Sequence, residues 1–119
     1  MGGGVSGIRR LPFPLDFFYF LVILLSMNAT FIKHSDPGHG WLEVSPSDLK
    51  SVGLSLSDIS GYSYKNRRGT RLFLEEDCDA SVFFRAYKVK NGAYPTTVES
   101  YDDDDFPESL GLVSIHYSS

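Results

Sequence analysis

The sequence predicts an α+β fold, a small single domain with a mostly antiparallel sheet of about four strands, one principal helix and one short helix. Three observations carry that expectation. The chain has 119 residues, enough for one core and too few for two. Short β-prone runs alternate with Pro, Gly and Asn turn signals along residues 29 to 75. One stretch, Ala80 to Lys90, carries a helical apolar period.

In chain order, Ala29 to Lys33 reads as a strand running into the turn Asp36-Pro37-Gly38, and Trp41 to Val44 returns as its partner. Ser45-Pro46-Ser47-Asp48 has the chemistry of a helix start, with Ser45 as cap and Pro46 at the first helical position, and Gly53 ends a helix of about two turns. Leu49 and Val52, three apart, face the core. Ile59 to Lys65 and Thr70 to Glu75 flank Asn66-Arg67-Arg68-Gly69 as a β-hairpin. Glu76 to Asp79 supplies capping carboxylates for the principal helix, on which Val82, Phe83, Ala86, Tyr87 and Val89 share a stripe. Lys88 and Lys90 complement its C-terminal dipole and Asn91-Gly92 stops it. Thr96 to Tyr101 is a further strand, and Leu110 to Tyr117 a last short strand or tail beyond the acidic run Asp102 to Asp105, which reads as a solvated loop.

Residues 1–26 form a separate, apolar N-terminal extension. Leu15 to Met27 is apolar except at Asp16 and Ser26. As a secretory signal it has Arg9 and Arg10 ahead of the apolar run Phe17 to Leu25 but lacks a small-residue cleavage site. As a membrane anchor, nine apolar residues rise only about 14 Å, half a hydrocarbon core. The favoured expectation is that the natural product begins at Met27 and that residues 27–119 are the domain. These carry nine Lys and Arg against 14 Asp and Glu, which argues against direct nucleic-acid binding. A cytoplasmic location is expected, with secretion or membrane association through residues 15–27 as the alternative. The single cysteine, Cys78, excludes an intramolecular disulfide.

Three motifs, Asp36-Pro37-Gly38-His39-Gly40-Trp41-Leu42, Ser60-Gly61-Tyr62-Ser63-Tyr64 and Leu74-Glu75-Glu76-Asp77-Cys78-Asp79-Ala80, taken in this order resemble a family of small uncharacterised bacterial and phage proteins. The resemblance covers roughly Phe31 to Tyr87. It implies a cytoplasmic single-domain protein of bacterial, phage or mobile-element origin, with no chemistry attached.

Function is therefore read from residue types. Trp41, Tyr62 and Tyr64, with Phe73, Phe83, Phe84 and Tyr87 mostly in the core, could join the basic loop Arg67, Arg68 and Arg71 in a binding face, Trp41 being the foremost anchor. Asp36 and His39 belong to the same candidate surface. The expected function is a small acidic protein-interaction module, an accessory or anti-defence protein whose partner is another protein and which needs no cofactor. The alternative is a metal-binding protein or metal-dependent hydrolase using His34, Asp36 and His39, completed by one of Glu75, Glu76, Asp77, Cys78 or Asp79, with Glu75 or Glu76 as general base. Cys78 between carboxylates is a poor nucleophile and is expected half-buried. No nucleophile-elbow GxSxG is present.

Overall fold

The computed structural model describes residues 29–103 and 106–118. Strand β1 (Thr30–Ser35) turns through Asp36 to His39 into β2 (Gly40–Val44). Helix α1 (Pro46–Ser51) and a 3-10 turn (Leu56–Asp58) lead to β3 (Tyr64–Lys65) and β4 (Leu72–Glu75). Helix α2 (Asp79–Asn91), β5 (Thr96–Tyr101), the single helical turn α3 (Phe106–Ser109) and β6 (Val113–Ser114) complete the order. The architecture is a small α+β domain with two principal helices and a six-stranded mixed sheet in the order β5-β1-β2-β4-β3-β6.

The sheet is wider than the expected four strands, and one pairing is parallel. β5 lies parallel to β1, from Thr30 opposite Thr96 to Ser35 opposite Tyr101, while the other pairings are antiparallel. A parallel neighbour requires a crossover. The 13-residue α2 spans about 20 Å at 1.5 Å per residue, enough to carry the chain from β4 back to the start of the far edge strand. β6 is the second addition, a two-residue strand closing on β3.

Local signals explain the helix ends. Ser45 Oγ accepts from Asp48 N–H at 3.1 Å, and Asp48 Oδ2 accepts from Ser45 N–H at 2.7 Å. This reciprocal capping box, with Pro46 behind it, starts α1. α2 stops at Gly92, whose φ of 85° is left-handed and whose N–H reaches Lys88 O at 2.7 Å.

The first hairpin strand is shorter than expected. Ile59 to Ser63 is not strand, because the Ser60 and Ser63 side chains turn to the Asp79 carboxylate and Ile59 drops into the core. The capping role given to Glu76 to Asp79 changes too. Glu75 Oε1 accepts from Asp77 N–H at 2.9 Å and Cys78 N–H at 3.0 Å, whereas Asp79 is spent on the loop.

Alternation along the strands divides the apolar residues between two faces. On one face Leu42, Val44, Leu72 and Leu74 pack against Ala80, Phe83 and Tyr87 of α2. Phe31 meets Phe83 and Tyr87 edge-on at 5.3 and 6.0 Å. These aromatic contacts, with Phe84 beside them, rotate the buried stripe toward Ala80. Val89 then lies about 150° from its centre at 100° per residue and is 87% exposed rather than core-facing. On the other face Trp41, Phe73 and Phe106 form a second, aromatic cluster.

The readings of residues 1–26, and of Asp104 and Asp105, lie outside the described residues. Asp102 N–H caps Ser35 O at 2.8 Å, which ties the start of the acidic run to the end of β1. Among the described residues no helix is long and apolar enough to cross a membrane.

Ser63 is fully buried; it donates to Asp79 Oδ2 and accepts Glu75 N–H at 2.9 Å. Ser63→Ala strands a buried N–H and removes a carboxylate partner, so urea unfolding should show a loss of about 3 kcal/mol at unchanged denaturant slope. Ser57→Ala, on the exposed 3-10 turn, should change the midpoint little.

Candidate functional site

A cleft of about 630 Å3 opens where the β1–β2 turn, the approach to β3 and the end of β4 meet. Its lining comes from all three motifs: Asp36, His39 and Trp41 from the first, Tyr62 and Tyr64 from the second, Glu75, Asp77 and Cys78 from the third. Pro107 of α3 closes one side.

The first wall is held by Asp36. Its Oδ1 accepts from Gly38 N–H at 2.9 Å and His39 N–H at 2.8 Å, and its Oδ2 from Phe106 N–H at 3.0 Å. Burial by itself would raise the carboxyl pKa; the three backbone donors and His39 outweigh it and hold the group below its ordinary value. The carboxylate thereby clasps α3 to the turn. Gly40 follows, and a Cβ there would stand 2.6 Å from Glu76 Oε1, so the Glu76 carboxylate rests against the glycine. That side chain crosses the strand toward Lys33 Nζ at 3.7 Å, so Glu76 faces away from the cleft.

The floor is aromatic. Trp41 is 4% exposed, stacked with Phe106 at 5.3 Å and edge-on to Tyr64 at 6.3 Å. Its buried Nε1–H has no hydrogen-bond partner among the described residues, an unusual cost for an indole. Trp41 is thus a floor and not the protruding anchor that composition suggested, because α3 covers it. Tyr62, 71% exposed, is the aromatic that stands at the mouth.

The third wall is carboxylate. Glu75 is fixed at its backbone by Ser63 and at its side chain by the Asp77 and Cys78 N–H groups. Cys78 is exposed rather than half-buried. Partial desolvation, then the charges of Glu75, Asp79 and Asp77, push its thiol pKa up, away from the thiolate a nucleophile requires. Asp36, Glu75 and Asp77 face a single titratable base, His39, and among the described residues no Lys or Arg lines the cleft.

Five of the seven interaction candidates, Asp36, His39, Trp41, Tyr62 and Tyr64, line this one cleft. Arg67 and Arg68 do not: they sit in the loop beyond the other end of β3, where Arg67 lies 5.5 Å over the Tyr117 ring. Arg71 pairs with Glu43 at 2.8 Å. The triad His34, Asp36 and His39 is not assembled. His34 Nε2 donates to Glu43 Oε1 at 2.6 Å and its ring stacks on Phe106 at 4.5 Å, while both Asp36 oxygens are occupied by backbone N–H groups. His34 lies under Phe106 and is committed to Glu43, whereas His39 stands on the turn beside Trp41 at 5.7 Å, and among the described residues no group of three His, Cys, Asp or Glu is placed to hold a metal ion. Sequence reasoning missed α3 as a wall; the apolar pair Phe106-Pro107 directly after the aspartates was the available signal.

Comparison with family models, with curated proteins and with solved structures finds no match.

The Asp36 clasp has a pH signature. Because folding lowers its pKa, the unfolded chain takes up the proton first. The stabilisation is complete above the unfolded value of about 4 and is lost as pH falls through the lower folded value. Urea midpoints measured from pH 6 to pH 2 should fall less steeply for Asp36→Asn than for wild type, and parallel curves would remove the clasp from the account.

Proposed function

We propose that this protein is a protein-interaction module and that the cleft built from the three motifs is where its partner binds. The observation that carries this reading is the convergence: three segments separated in sequence deliver their aromatic and acidic side chains to one concave surface. The walls are ordered by the fold itself, through Asp36, Glu75 and the Ser63–Asp79 contact. An occupant therefore meets a preorganised site and loses less entropy to ordering. Tyr62 supplies an exposed aromatic at the mouth, the residue class that anchors partners.

The cytoplasmic setting, the bacterial, phage or mobile-element origin and an accessory or anti-defence role follow from the motif resemblance and are part of the proposal. The metal-dependent alternative is not the favoured one, since His34 and Asp36 are already committed to Glu43 and to backbone N–H groups.

A photo-crosslinking residue placed at Tyr62 should give a discrete protein adduct in bacterial cells, and the same residue at Val89, exposed on α2, should not. The captured protein, once purified, should protect Cys78 from alkylation in the wild-type chain. Equal adducts from both positions, or none from Tyr62, would contradict the reading.

A further inference from the structure

Resting on that reading, we infer that the group the cleft takes from its partner is an arginine side chain presented on a polypeptide. Charge complementarity is the first argument. Among the described residues, the carboxylates of Asp36, Glu75 and Asp77 line the cleft opposite His39 alone, so the field inside favours a cation and disfavours phosphate or carboxylate ligands.

The choice of arginine comes from shape. Tyr62 and Tyr64 offer aromatic surface beside the carboxylates, and a guanidinium can lie on an aromatic ring while its in-plane N–H groups point at a carboxylate. A lysine ammonium is a point charge and does not exploit both at once. Glu75 is ready for this role. Its Oε1 is engaged by the Asp77 and Cys78 N–H groups, and a carboxylate has about four acceptor sites. Its orientation is fixed before the ligand arrives.

The source is a chain segment because the occupant on the interaction reading is a protein; free guanidinium brings the charge without the apolar stem and backbone that fill the rest of the cleft.

The test uses wild-type protein, because the chain's single tryptophan and single cysteine both line the cleft. A capped Gly-Arg-Gly peptide is titrated while Trp41 fluorescence is read, beside the citrulline and lysine counterparts and free guanidinium. The expected result is a saturable change with the arginine peptide. Its affinity falls about tenfold with citrulline, the scale of one charge-assisted hydrogen bond, falls less with lysine, and weakens with salt. Saturating peptide should also lower the pH at which Cys78 becomes reactive, since a bound cation offsets the neighbouring carboxylates.

Asp77→Asn, an exposed change, should weaken binding without moving the unfolding midpoint, and Glu75→Gln should weaken it further. Binding of the citrulline or lysine peptide as tight as that of arginine overturns the inference, as does guanidinium matching the peptide. If the Tyr62 adduct forms and the arginine peptide leaves Trp41 and Cys78 unchanged, the cleft binds a partner of other chemistry and only this inference falls. If the peptide binds and no Tyr62 adduct forms, the arginine site stands and the interaction reading falls.

Discussion

Burying a carboxylate away from water is unfavourable unless hydrogen-bond donors replace the water it loses, and Asp79 is buried in the first turn of α2 with no ion-pair partner among the described residues. Its donors come from one loop. Ser60 gives its backbone N–H at 3.0 Å and its hydroxyl at 2.6 Å, and Ser63 gives a hydroxyl that also accepts the Glu75 N–H. The Asp79 carboxylate therefore fixes the path of Ser60 to Ser63, the end of β4 and the start of α2 relative to one another. Most of the cleft is a consequence of that junction. Tyr62 projects because the residues on either side of it are tied down, Tyr64 enters β3 in register with Phe73, and Glu75 is held where its carboxylate meets the turn before the helix.

Asp36 performs the matching task on the other wall. It closes the Pro-Gly turn on itself and reaches the Phe106 N–H, and Phe106 then covers Trp41, Phe73 and His34. The two aspartates differ in what they connect. Asp79 joins a loop to a helix through serine hydroxyls, and Asp36 joins a turn to the C-terminal segment through backbone N–H groups. Between them they order all three motif segments, which gives three motif residues outside the cleft a structural reason to be polar: Ser60, and the buried Ser63 and Asp79.

The sequence was legible where a signal is local. Ser45-Pro46 with Asp48, the Asp36-Pro37-Gly38 turn and Asn91-Gly92 each act within four residues, and each lies at or within a residue or two of the expected boundary. Elements decided by distant partners were not legible. The strand expected from Ile59 was cut short by Asp79, 16 residues beyond Ser63, and the parallel place of β5 depends on where α2 delivers the chain. Val89 matched the helical period but lost its place to the larger contacts of Phe83 and Tyr87 with Phe31. The candidate site was legible as composition, since five of its residues were singled out, but not as geometry. Arg67 and Arg68 are adjacent in sequence to the aromatic motif, yet β3 carries them to the far side of the hairpin, and the carboxylates that replace them come from the third motif.

Amide hydrogen exchange at Ser60 and Glu75 tests the central role of Asp79 most directly, because both N–H groups bond to side chains of this junction rather than to the backbone ladder. The account predicts that the two amides exchange together and as slowly as core amides of β4, so that they open only when the domain unfolds. Exchange of Ser60 at the rate of an unprotected loop, with Glu75 protected independently of it, would contradict the account.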